Sequence, residues 1–327
     1  MSMDSRDSRE SDVGGSRTES ASDKGSERLG PPEFLGYRII REREEQDESP
    51  TSRSKFWKLC CIADRYLVEE LNHDIGFPRH WYKYGEVGEP HSVNRGFLNA
   101  PRARFWEGQE LFSDRKIPIT EFDISGEDQR LIRRAASKIV GEFGKRPTKE
   151  LKKHQYNNDA PEPFIEAYSK LRAQFEAVDL DQQKLLPDYS QGPSSTIENL
   201  LDEMLVTYPC DRYEDVYGMY LNWDDTMRLM YETGGTAPEM KSFLEFFVEK
   251  ISEITLRFEH NRNIPEDRLD SWREEREEKI RVLDTGIEET RRALLEGYEP
   301  PEVLESVSDS FDRSMTEELD ELNPAEE

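Results

Sequence analysis

The residues best suited to metal or nucleophilic chemistry are few: five histidines and three cysteines. His73, His80 and His91 fall within twenty residues of one another, and imidazole is the commonest metal ligand. Their spacing matches no helical i, i+4 pair, so we expect loop or surface histidines and no metal site. Cys60 and Cys61 are adjacent, a geometry that does not bridge easily. Both fall on or beside an apolar stripe, where a free thiol behaves as a small hydrophobe, so core packing is expected before thiolate chemistry. The sequence carries no Gly-rich phosphate loop, CxxC pair, HExxH or nucleophile-elbow spacing. These readings predict no catalytic residue, no cofactor and a function other than catalysis.

Residues suited to recognition are more numerous. The densest positive run comprises Arg130, Arg133, Arg134 and Lys138, then Lys145, Arg146, Lys149, Lys152, Lys153 and His154. Such a run would neutralise phosphates in a nucleic-acid groove, meet an acidic protein surface or this chain's own acidic half, or face water. No recognition helix with aromatic or amide base readers accompanies it, which makes nucleic acid the less favoured partner. Tyr82, Lys83, Tyr84 and Gly85 read either as a partner-contact loop with exposed aromatic anchors or as a turn packed on the preceding helix, with Gly85 at positive φ. Asp64, one position beyond a buried stripe, would fix that turn, touch a partner, or stand exposed.

Charge separates the chain into unlike parts. The net charge is −26, and it divides into −5 over residues 1–50, +2 over 51–180 and −23 over 181–327. The middle segment escapes the acidity of the rest, so the halves are expected to meet different partners or each other. Arg outnumbers Lys by 30 to 15, and with the acid surplus this composition resembles that of chains from salt-accumulating archaea. Hydrophobic residues make up 34% against roughly 45–50% in ordinary globular chains. That supply suits one or two modest cores with unfolded flanks and argues against a large multidomain enzyme. No stretch reaches the roughly 18 apolar residues of a membrane span, and no basic-then-apolar signal opens the chain, so a soluble, cytoplasmic protein is expected.

Periodicity then supplies the elements that would position these residues, and it predicts a mainly α fold. Residues 1–50 read as disordered, although Phe34, Leu35, Tyr37, Ile39 and Ile40 form an apolar island able to dock on the folded body. Phe56, Leu59, Cys60, Ala63, Leu67 and Leu71 recur at steps of three and four, predicting a core helix over 54–71. Residues 74–120 read as loops with a small hairpin, the alternation from Arg104 to Phe112 being one candidate. Ser125 with Asp128 predicts the capped start of a second core helix ending at Gly144. A short helix follows Pro147 and another runs through Phe164, Tyr168, Leu171 and Phe175. Residues 178–195 read as a linker, and 181–297 as an acidic helical domain containing a long antiparallel helix pair. The tail, 298–327, reads as largely disordered.

The ordering of these features resembles the Panacea domain, a helical antitoxin family. Lys55-Phe56-Trp57-Lys58-Leu59-Cys60-Cys61-Ile62-Ala63-Asp64 is similar to the family's opening Lys-Leu helix with its Ala-Asp ending. Trp81-Tyr82-Lys83-Tyr84-Gly85-Glu86-Val87 is similar to its aromatic-Lys-Tyr-Gly-Pro-Val turn, with Glu86 in place of the proline. Ser125 to Gly144, Pro147 to His154 and Pro161-Glu162-Pro163-Phe164 are similar to its late helix and its closing His-then-Pro-aromatic segment. The resemblance covers about residues 55–175, within a domain read as 51–180, and implies a compact helical domain that binds and neutralises a toxin or related protein encoded nearby. It carries over no catalytic residue. Partner-binding residues on this reading are Asp64, Tyr82, Lys83, Tyr84, Gly85, Arg133, Arg134, Lys152, Lys153 and His154. The alternative expectation is a DNA-associated regulator that uses the basic run on 130–154.

Overall fold

A computed structural model describes residues 29–46, 51–90, 92–93, 110–111, 116–180 and 193–296. The fold is mainly helical, and two clusters of buried side chains organise it. The first is built by α1 (Pro31–Glu45), α2 (Arg53–Arg65) and α3 (Gly126–Phe143). The second is built by α5 (Pro163–Leu180), α6 (Pro193–Thr207), α7 (Glu214–Glu232), α8 (Ala237–Ile251) and α9 (Glu266–Glu296). Between them, α4 (Thr148–Asn158) places Leu151 in the first cluster and Tyr156 in the second.

Two expected boundaries move. Within 1–50, the apolar island is helix α1, whose Phe34, Leu35, Ile39 and Ile40 are buried, each worth roughly 1.5–3 kcal/mol of burial. Residues 1–28 and 47–50, the greater part of the predicted disordered segment, lie outside the described residues. The proposed domain end at 180 also shifts, because Phe164, Tyr168, Leu171 and Phe175 of α5 pack into the second cluster. The linker over 178–195 is narrower than expected, since α5 continues to Leu180 and α6 begins at Pro193. The tail 298–327 lies outside the described residues.

Local signals explain the helix starts. Ser52 caps α2 by accepting from the Lys55 amide, and Ser125 with Asp128 forms the expected capping box of α3. Thr236 and Glu239 form another at α8. Helix α2 continues through a π-helical turn, Tyr66–Glu70, and α8 through a second one, Ser252–Leu256. Helices α8 and α9 run antiparallel, as expected. Arg257 donates to the Trp272 carbonyl, Arg276 donates to that of Ile254, and Gly286 lies against the Phe246 ring, so the pairing descends one helix as it climbs the other.

The strands are short. Strand β1 (Thr51–Ser52) pairs with β4 (Glu110–Leu111), the described part of the 104–112 alternation. The hairpin itself lies elsewhere, as β2 (Arg79–Tyr82) and β3 (Gly85–Gly88), where Tyr82 pairs with Gly85 across the Lys83-Tyr84 turn. Strand β5 (Asn261–Arg262), from the second half, adds antiparallel to the other edge of β2.

Candidate functional site at the hairpin

The hairpin is the meeting point of most residues singled out by sequence. Residues alternate across β2, so Arg79 and Trp81 share one face while His80 and Tyr82 share the other. On the first face Arg79 Nε donates to Asp64 Oδ2 at 2.7 Å and its Nη1 donates to Glu86 of β3. Arg65 grips the same Glu86 carboxylate, with Nε at 2.9 Å from Oε2, and reaches toward Asp159 at 4.0 Å. Asp64 is fully buried. Burial pushes its carboxyl up to about 6, against the opposing pull of Arg79. Of the readings open for Asp64, the geometry selects the one in which it fixes the hairpin.

A second set of bonds holds the turn. Lys58 lies in the middle of α2 and is buried, with Nζ donating to the Tyr84 carbonyl and to Gln155 Oε1, each at 2.6 Å. Gln155 in turn donates to the Glu86 carbonyl at 3.2 Å. Burial drives the Lys58 ammonium down to about 7. Its two acceptors are as many as a neutral amine can serve with two N–H bonds. Gly85 has φ +95°, and a Cβ there would come within 2.6 Å of Gln155 Oε1, so position and conformation both require glycine.

The turn's own side chains face the second half of this chain. Lys83 pairs with Glu249 of α8, and Tyr84 donates from its hydroxyl to Glu245 at 3.4 Å. The Tyr84 ring is surrounded by cations: Lys152 Nζ at 4.0 Å, Lys83 Nζ at 4.9 Å and the Arg172 guanidinium at 5.1 Å from its centroid. Arg172 also donates to Glu245 at 2.7 Å. Lys83 and Tyr84 are therefore occupied internally, joining the marginally basic half to the acidic one, and Tyr82 is half-buried on the opposite face. Further ion pairs lace the same seam, Arg262 to Asp74 at 2.6 Å and Arg268 to Glu89 at 3.4 Å.

Beside the Tyr84 cluster, α4 and α5 enclose a groove of about 540 Å³. Lys149 and Lys170 at its margin are paired with Glu176, Glu166 and Glu203. Lys152 is half-buried there, with the Tyr84 ring as its contact and no carboxylate within 4.0 Å among the described residues, and burial followed by Arg172 lowers its pKa. Lys153 is exposed on the groove's edge. His154 turns away, its ring 4.7 Å from Phe143 and its Nδ1 3.1 Å from Asn158 Nδ2.

Arg133 and Arg134 are not part of this assembly. They project from the solvent side of α3, opposite the buried Ile132, Ala135, Ala136 and Ile139. The histidines also disperse. His73 bonds Asp128 of the α3 capping box at 2.8 Å, His80 is buried in β2, and His91 lies outside the described residues. No group of three His, Cys, Asp or Glu side chains that could hold a metal forms among the described residues. Cys60 and Cys61 are buried in α2, and burial raises both thiols well above their ordinary range.

Sequence reasoning missed Lys58, Arg79, Glu86 and Gln155. The signal for Lys58 was present: Trp57, Cys61 and Ile62 make α2 apolar on the face away from the stripe, and a helix apolar all round is buried all round. Every residue from Phe56 to Asp64 is buried. No helix among the described residues is long and apolar enough to cross a membrane. Comparison of the chain with protein-family models, with curated proteins and with solved structures finds no match in any of the three.

Proposed function

We propose that this chain is a non-enzymatic, protein-binding module of antitoxin type, resembling Panacea domains, which neutralises a cognate toxin or related protein encoded nearby. The observation that carries this reading is Lys152, a cation held in the α4–α5 groove beside Arg172 with no carboxylate within 4.0 Å among the described residues, Glu245 and Glu176 acting on it only from farther off. An acidic group on a partner would complete the cluster, with Lys153 at the rim as a second contact. The Asp64, Arg79 and Glu86 side chains are engaged with one another, Lys58 is engaged with Gln155 and the Tyr84 carbonyl, and together they hold the shape of the hairpin. Lys83 and Tyr84, earlier candidates for partner contact, serve the internal seam in this reading.

The test is co-expression with the product of each neighbouring gene. A toxic neighbour whose growth arrest is relieved by this chain, and which co-purifies with it, supports the proposal. Lys153→Glu, at an exposed residue with no ion pair among the described residues, and Lys152→Met, which keeps the apolar stem against Tyr84, are together expected to weaken co-purification at least tenfold and leave the fold intact. If no neighbouring product is toxic or co-purifies, the antitoxin reading fails.

A DNA-associated regulator is the second reading, and Arg133 and Arg134, exposed on α3 and without an ion pair among the described residues, favour it. Duplex binding with a steep salt slope, lost in Arg133→Ser with Arg134→Ser but kept in the Lys152 and Lys153 variants, would select it over the first.

A further inference from the structure

The reverse face of the hairpin holds a cavity of about 580 Å³ that the partner reading does not use. Its volume falls within the roughly 300–1,000 Å³ typical of small-molecule pockets. The walls come from both halves: Ser54 and Trp57 of α2, His80 and Tyr82 of β2, Glu89 after β3, and Arg268 of α9.

Three observations specify what would fit. First, the His80 side chain is only 8% exposed and makes no hydrogen bond among the described residues, its Nδ1 lying 3.9 Å from Glu89 Oε2. Burial, with Arg257 and Arg268 nearby, pushes this imidazole down to about 3, so it lines the cavity as a neutral group. Second, α2 begins at this wall with no acidic residue in its first turn, while Arg53 and Ser54 line the cavity there. The first turn of that helix thus supplies no acid of its own, and the one carboxylate among the described lining residues, Glu89, has Arg268 at 3.4 Å. Third, the rest of the wall includes a ring and apolar side chains. The Trp57 ring is clamped against Gly88, where a Cβ would approach within 2.4 Å, and Val87 and Pro90 extend the surface.

We propose that this cavity binds a small planar organic anion, with its charged end at the α2 N-terminus and its ring along Trp57 and Tyr82. His80 supplies a hydrogen bond to the ring or its substituent. Arg268 reaches the cavity from the second half, so an occupant would also tie α9 to α2. This inference stands apart from the partner proposal and survives its failure.

The test is calorimetric titration of the full chain, alongside its thermal unfolding midpoint, with benzoate, adenosine monophosphate, acetate, inorganic phosphate and benzamidine. Benzoate or adenosine monophosphate is expected to bind with a millimolar or tighter Kd, about what nine or more ligand atoms deliver at the efficiency of small ligands, and to raise the midpoint. Whichever binds tighter distinguishes a carboxylate-bearing from a phosphate-bearing occupant. Acetate and phosphate should bind at least tenfold more weakly, and benzamidine, planar but cationic, not at all. Ser54→Glu should weaken the planar anions about tenfold or more while leaving the midpoint unchanged or higher, since an acid in the first helical turn favours the helix. His80→Gln should weaken them without abolishing folding. Benzamidine binding as well as benzoate, an undiminished affinity in Ser54→Glu, or no binding by either planar anion would each overturn the proposal.

Discussion

The two clusters solve burial in different ways. The hairpin side of the first half closes over charges: Lys58, Asp64, Arg79 and Glu86 are each at least nine-tenths buried and bonded to one another or to backbone. The second cluster closes over rings. Tyr208 and Tyr220 stack at 4.1 Å, Trp223 and Phe247 at 4.5 Å, while the Tyr208 and Tyr220 hydroxyls find no hydrogen-bond partner among the described residues. Charge bonds dictate one geometry and penalise the loss of any member, whereas stacked rings tolerate small changes so long as volume is kept. The half proposed to carry the partner-binding groove is therefore the half whose shape is tightly specified.

That contrast can be broken most directly at Arg79. Replacing Arg79 by Met leaves Asp64 without its cation and Glu86 with Arg65 alone, and should destabilise the protein by about 3–5 kcal/mol in denaturant unfolding. A loss below about 1 kcal/mol would show that the charges do not specify the hairpin.

Lys58 gives the next largest effect. Its pKa is lowered in the folded protein to about 7 against roughly 10.4 unfolded. Between those values the unfolded chain binds more protons, so stability rises with pH across roughly 7 to 10, by a few kcal/mol in order of magnitude. The Lys58→Met variant should lose this slope. Denaturation midpoints of both proteins across that range provide the check, and parallel profiles would contradict it.

Gly85→Ala combines an unfavourable positive φ with a collision at Gln155 and should cost about 1–3 kcal/mol. Its effect should shrink in a Gln155→Ala background, a coupling that a double-mutant cycle would measure. The smallest change is expected in the other half. Tyr220→Phe removes a hydroxyl with no partner and keeps the stack, so it should be neutral or stabilising, within about 1 kcal/mol.

Period and capping made the helices legible. The stripe of α2, the Ser125 box of α3 and the α8–α9 pair follow from local rules acting over a few residues. The seam was not legible to the same degree. Asp64, Tyr82 to Gly85 and Lys152 were marked, but Glu249 and Glu245, the partners of Lys83 and Tyr84, come 166 and 161 positions further on, and no local pattern announces such a pairing. The basic run misled for the same reason: a stretch continuous in sequence splits between the outer face of α3, which carries Arg133 and Arg134, and the α4 groove, which carries Lys152. Arg79 and Glu86 were hidden because in sequence they look like ordinary polar strand residues.

Strand β5 has a consequence for how the chain is made. Arg262 binds Asp74 188 positions earlier, beside the pairing that completes β2. A ribosome delivering this chain from its N-terminus releases the first cluster's residues, ending at Leu151, long before Asn261. Until then β2 presents an open edge, the kind of surface that recruits a stray strand from another nascent molecule. Closure of that edge is a late, long-range event, so folding yield should be set more by the timing of the second half than by the stability of the first.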